Sequence, residues 1–128
     1  MKPEKVFKRY DVRGRYPEEL NEEFAEQIGR SLGTFASEKF SKRVVVCRDN
    51  KSSSASLKQS LIEGLRSTGV KVVDIGSGPT DYVAYTGMKH GCLSVQVTSS
   101  HMPLNFNGFK FMYPEGNGLV NEDLNRLK

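Results

Sequence analysis

Apolar residues recur along this chain in two rhythms, one helical and one extended. Phe24, Ile28, Leu32 and Phe35 fall three or four positions apart, the spacing that lines one face of a helix. Asn21 precedes them with a side-chain oxygen suited to an N-cap. Glu22 and Glu23 follow in the first turn, where acids complement the helix dipole. The pattern predicts a helix of about four or five turns. Arg43 to Cys47 is a short β-branched run, which predicts a buried strand. A polar loop, Arg48–Ser54, separates it from a second helix, capped by Ser54, with Leu57, Leu61, Ile62 and Leu65 on its apolar face and Gly69 closing it. Val70–Ile75 reads as the next strand, followed by a GSGPT loop and a short helix or turn over Tyr82–His90. Leu93–Thr98 is a third strand, with Val95 and Val97 alternating against polar neighbours. A polar loop, Ser99–Asn107, leads to a fourth strand, Phe109–Tyr113, and Asn121 is positioned to cap a last helical segment that runs to Lys128. The first twenty residues read as an irregular basic lead-in.

Strands alternating with helices predict crossover units on a mostly parallel sheet. Ligands of such sheets meet the loops beyond the carboxyl ends of the strands. Arg48, the GSGPT loop and the Ser99–Asn107 loop all fall on that edge, so it is the place to look for chemistry.

Composition narrows the possibilities. A length of 128 residues suits one domain, and 37% hydrophobic residues supply an ordinary core without staples. The net charge of +4, from nineteen basic and fifteen acidic residues that are mostly interspersed, favours anionic ligands weakly and does not call for nucleic acid. Cys47 and Cys92 lie far apart without a C-x-x-C spacing and read as buried free thiols in a reducing compartment. No apolar run is long enough to span a membrane, and MKPEKVFKRYD lacks the apolar core of a secretory signal. The cytoplasm is the expected location.

The densest chemistry lies in TSSHMPLNFNGFK, Thr98–Lys110. Ser99, Ser100 and His101 follow a strand end directly, Pro103 stiffens the loop, and Asn107-Gly108 is a turn signal. A serine held there, a histidine beside it for proton handling and Lys110 for an anion are the parts of a nucleophile site. On residue chemistry alone, a Ser-rich loop after a strand is also an ordinary loop.

Four motifs, in order along nearly the whole chain, resemble the first domain of the α-D-phosphohexomutases, a family that includes phosphoglucomutase, phosphomannomutase and phosphoglucosamine mutase. The family's F-x-x-Y-D-I-R-G is matched by Phe7 to Gly14. Its G-R-D-x-R-x-S-S is matched by Cys47 to Ser54, and its V-x-D-x-G with a following P-T by Val73-Asp74-Ile75-Gly76 and Pro79-Thr80. Its T-A-S-H-N-P and Y-N-G-x-K are matched by Thr98 to Pro103 and by Phe106 to Lys110. Ser99 stands for the usual alanine, Met102 for asparagine, Cys47 for glycine and Lys51 for arginine. These departures leave the nucleophile in place and bear on substrate positioning.

The resemblance implies a phosphoserine at Ser100 that donates its phosphoryl group to a hexose phosphate and recovers one from a bisphosphate of the glucose 1,6-bisphosphate type. It implies catalytic roles for Ser100, His101 and Lys110, and a cleft lined by Tyr10, Arg13 and Asn107. It also implies a magnesium ion with the Ser100 phosphate as one ligand. The family's aspartate-rich metal loop has no counterpart, since Asp11, Asp49, Asp74, Asp81 and Asp123 include no close pair. The expected molecule is therefore a piece of a longer enzyme, working with further mutase domains, with no nucleic-acid or membrane partner and no mutase activity of its own. Its expected fold is a three-layer α/β/α domain with a mixed, mostly parallel sheet of about four strands, the last antiparallel by family analogy. Two other readings are a non-catalytic interaction module of the same fold and, from VVDIGSGP at Val72–Pro79, a methyltransferase using S-adenosylmethionine. Against the latter, Pro79 replaces the third small residue and the next strand ends without an acid for ribose.

Overall fold

A computed structural model describes residues 11–98 and 105–127. Five strands form one mixed sheet in the order β1-β5-β4-β2-β3, where β1 is Val12–Arg15, β2 Arg43–Arg48, β3 Lys71–Ser77, β4 Leu93–Val97 and β5 Phe106–Met112. β3, β2 and β4 run parallel; β5 is antiparallel to both β4 and β1. Helices α1 (Glu22–Lys39) and α2 (Ser52–Ser67) join the sheet in a large core, to which Leu124 of the short α4 (Asn121–Asn125) also contributes. Helix α3 (Thr80–His90) covers the other face over a smaller cluster of Val45, Cys47, Val83, Cys92 and Met112. This is the expected three-layer arrangement. No helix among the described residues is long and apolar enough to cross a membrane.

Alternation along β2 explains the two cores. Val44 and Val46 face α1 and α2, while Val45 and Cys47 face α3. Both cysteines are free and buried, and burial pushes both thiols up from their ordinary values. Helices α1 and α2 meet at glycines. A Cβ on Gly64 would lie 2.1 Å from the Glu26 carbonyl oxygen, so any side chain there would drive the helices apart.

Several boundaries differ from the sequence expectation. Among the described residues the sheet has five strands, where about four were expected, because Val12–Arg15, inside the stretch read as an irregular lead-in, pairs with β5. β5 starts at Phe106, so the Asn107-Gly108 step belongs to a strand rather than a turn. Helix α1 is capped as expected, the Phe24 N–H donating to Asn21 Oδ1 at 3.0 Å. Helix α2 instead begins at Ser52 with Lys51 at the cap position, because the Ser54 hydroxyl is bonded to Asp49. It ends as expected, with Gly69 (φ +88°) following the cap residue Thr68. Helix α4 begins at Asn121 itself, with Val120 at the cap position. The polar positions of β4, Ser94 and Gln96, are buried like the valines, because α3 packs over them.

Candidate active site

The carboxyl ends of the parallel strands are tied to one another by backbone bonds. The Asp49 N–H donates to the Val97 carbonyl at 3.0 Å, and the Gly78 N–H donates to the Arg48 carbonyl at 3.1 Å. Gln96 Nε2 adds a side-chain tie, donating to the Gly78 carbonyl at 2.7 Å. The carboxyl ends of β2, β3 and β4 are thereby fixed relative to one another. β5 starts at this same edge, and β1 ends there.

The segment carrying Ser100 and His101 connects β4 to β5 at this edge. Both residues lie outside the described residues, as does Tyr10. The flanks of the segment are anchored: the Thr98 N–H donates to the Gly108 carbonyl at 2.9 Å, and the Tyr16 N–H donates to the Asn105 carbonyl at 2.7 Å.

The three other predicted site residues divide into two environments. Arg13 stands opposite Gly108 in the β1–β5 pairing, and Lys110 stands two positions beyond Gly108 on β5. Strand alternation puts both cations on the α3 side of the sheet, as diagonal neighbours across the ladder. Lys110 is exposed, and Arg13 keeps 42% of its side chain exposed with a loose pair to Asp11 at 3.7 Å. This is a surface where two cations face solvent beside the root of the Ser100 segment. Gly108 permits the arrangement: a Cβ on it would sit 2.2 Å from the Val12 carbonyl oxygen.

Asn107 points the other way. It is fully buried; its Nδ2 donates to Ser53 Oγ at 2.7 Å and Ser54 Oγ at 2.9 Å, while its Oδ1 accepts from the Gly108 N–H at 2.8 Å. The Ser54 hydroxyl donates onward to Asp49 Oδ1, which also accepts the Lys51 N–H at 3.0 Å. Lys51 Nζ completes the link by donating to the Phe106 carbonyl at 2.9 Å. This geometry makes Asn107 a brace between the loop after β2 and the start of β5. Sequence reasoning did not single out Asp49, Ser53 or Ser54 for this role. The available signal was an Asx residue, Asp49, three positions before a run of serines at a helix start. Arg48 donates to the Asp49 carbonyl at 2.9 Å. Asp74, at the edge strand, is bonded to Lys58 at 2.7 Å and to the Gly76 N–H at 3.0 Å. Among the described residues, no group of three or more His, Cys, Asp and Glu side chains is placed to hold a metal ion.

A family model described as phosphoglucomutase/phosphomannomutase, alpha/beta/alpha domain I, matches residues 4–128. The chain belongs to that family. It is 37% identical over 126 residues to a phosphomannomutase/phosphoglucomutase of Pseudomonas syringae, covering 98% of this chain and 27% of that protein. It is 40% identical over 121 residues to a phosphoglucomutase/phosphomannomutase of Thermococcus kodakarensis, covering 92% of this chain and 26% of that protein. The crystal structure of a phosphoglucomutase/phosphomannomutase family protein from Burkholderia thailandensis superposes with a TM-score of 0.88 at 34% identity, over 99% of this chain and 30% of that one. The chain thus spans about a quarter of the length of the curated relatives it matches. Membership accounts for VVDIGSGP without an adenosylmethionine site: its strand, β3, lies at the edge of the sheet, and Asp74 is already partnered.

Proposed function

We propose that this domain carries the phosphoserine of a phosphosugar mutase, at Ser100, and acts within a longer protein that moves a phosphoryl group between the 1- and 6-positions of a hexose phosphate. The supporting observation is the pair of cations, Arg13 and Lys110, on one sheet face beside the anchored flanks of the Ser100 segment. Phosphoryl transfer asks a protein mainly for positioning and for charge opposite the phosphoryl oxygens. In the forward step a sugar hydroxyl attacks the Ser100 phosphorus, a new sugar O–P bond forms, and the Ser100 Oγ–P bond breaks. The hydroxyl proton passes to His101, or to Lys110 if that side chain enters the step as a neutral amine, and the departing Ser100 Oγ takes a proton back from the same group. Reversal with the other phosphate of the bisphosphate intermediate restores phosphoserine. Tyr10 and Arg13 line the cleft in this reading, with Asn107 as the brace behind it.

Magnesium, when bound, would offset charge on the phosphoryl oxygens, with the Ser100 phosphate as the ligand from this chain. The described side chains do not themselves form a metal site. A hexose 1,6-bisphosphate would charge the serine, and the further mutase domains would supply sugar recognition. The 128-residue chain alone is proposed to lack turnover. A reducing, cytoplasmic setting accords with the two buried free thiols.

The test is peptide mass spectrometry on the longer protein after incubation with glucose 1,6-bisphosphate, for wild type and Ser100→Ala. Phosphate on Ser100, and loss of both phosphate and mutase activity in the variant, are expected. Phosphate mapping to Ser99, or activity surviving the substitution, refutes the assignment.

A further inference from the structure

We propose that the opposite, amino-terminal edge of the sheet holds a second anion site, which takes a phosphate dianion or the phosphate of a small monoester. A concavity there is lined by Ser41, Lys42, Arg43, Lys71, His90 and Gly91, with no acid among them. Arg43 and Lys71 are register partners on β2 and β3. Two positions further along these strands, Val45 belongs to the cluster under α3 and Val73 packs against it, so alternation puts both cations on the α3 face. His90, the last residue of α3, brings the helix end to the same place.

Neighbouring like charges across a ladder are destabilising. Arg43 and Lys71 nonetheless stand side by side, and among the described residues no carboxylate lies within ion-pair distance of Lys42, Arg43, Lys71 or His90. Asp74, three positions along β3, lies on the other face of the strand and is paired with Lys58.

A helix carboxyl end attracts cations, but this one is already capped by its own backbone. Gly91 adopts φ +64°, its N–H donates to the Met88 carbonyl at 3.1 Å, and the Cys92 N–H donates to the Gly87 carbonyl at 3.0 Å. The Ser41 hydroxyl is buried and has no hydrogen-bond partner. The concavity is thus lined by three permanent positive charges and no carboxylate. An anion with several tetrahedrally disposed oxygens answers them through guanidinium and ammonium donors.

The site is separate from the Ser100 edge. β2 runs from Arg43 to Arg48 between the two, a span of roughly 16 Å at strand rise. Its ligand is therefore held apart from the sugar phosphate of the proposed reaction, and the inference does not depend on that reaction.

The experiment is a ¹⁵N NMR titration of the 128-residue chain with inorganic phosphate and, separately, glycerol 3-phosphate, each against sodium chloride at matched ionic strength. Saturable shifts at residues 41–43, 71 and 90–91, absent with chloride, are expected with both probes. Lys42→Ala combined with Lys71→Ala, two exposed positions, should weaken binding about tenfold or more while the rest of the spectrum is kept. Equal affinity for the two probes assigns recognition to the phosphate; tighter glycerol 3-phosphate adds a contact to the ester. Shifts that follow ionic strength alone, shifts confined to the Arg13 and Lys110 region, or binding unchanged in the double variant would overturn the proposal.

Discussion

The Asn107 amide nitrogen donates to Ser54 Oγ, 53 positions away in the chain, and so fastens the first turn of α2 to the start of β5. Ser54 passes the bond on to Asp49, so a single buried chain of polar contacts sets where β5 begins relative to the loop after β2. Truncating Asn107 to Ala would leave the hydroxyls of Ser53 and Ser54 without that donor and the Gly108 N–H without its acceptor. The expected cost is about 1–3 kcal/mol of stability, read by urea denaturation. In the longer protein the same change should slow phosphorylation of Ser100. Unchanged stability would show that the brace carries no weight.

Gly108→Ala should act through the backbone. Its new methyl carbon would meet the Val12 carbonyl oxygen at 2.2 Å and Arg13 Cα at 2.8 Å. β1 must then move away from β5. Hydrogen exchange at the β1 amides should accelerate far more than exchange in β2 or β4, while α1 and α2 stay protected. Uniform exchange across the sheet would contradict this account.

Lys110→Met separates chemistry from folding. Lys110 is exposed, so the melting temperature should change little. If its ammonium faces phosphoryl oxygens in the longer enzyme, kcat/KM should fall by about 10²–10³-fold. Arg13→Met should give a loss of the same kind, and the double variant should lose less than the sum if both cations serve one anion. Full activity in both single variants would remove them from the site.

Acid should weaken the contact between α2 and the edge strand. Burial tends to raise the Asp74 carboxyl, but bonds from Lys58 and the Gly76 N–H outweigh it and hold the pKa below its ordinary 3.8. A carboxyl depressed in the folded state adds stability at pH above the unfolded value, and that stability is lost as pH falls through the folded one. Asp74 is 45% exposed, so solvent screens the pair and its worth is at most about 1 kcal/mol. Lys58→Met should therefore lower stability slightly at pH 7, have no effect near pH 2, and raise the Asp74 pKa seen by NMR.

Helix α1 was legible because every determinant is local: the Asn21 cap, two acids in the first turn and an apolar stripe of Phe24, Ile28, Leu32 and Phe35. β2 was legible as a run of valines, and β4 as Val95 and Val97 alternating with polar neighbours. β1 was not, because its four residues bury only Val12 and Gly14, and the partner that makes them a strand lies at the far end of the chain. Asn107-Gly108 read as a turn for the same reason. Only the tight approach of β1 shows why glycine is needed inside a strand there. The site divided similarly. Motif resemblance singled out Arg13 and Lys110, but the register that makes them neighbours on one face, and the burial that turns Asn107 into a brace, arise from pairing between distant segments. The cationic edge stayed hidden because Lys42, Arg43, Lys71 and His90 look interspersed until β2 and β3 align.

The pairing of β1 with β5 also orders events during synthesis. As the chain leaves the ribosome, the strands that become β2, β3 and β4 can gather with their helices while Val12–Arg15 still has no strand to join. Val12 finds its place only after Phe109 has been made. Both ties that flank the Ser100 segment, Thr98 to Gly108 and Tyr16 to Asn105, thus wait on the same late stretch of chain.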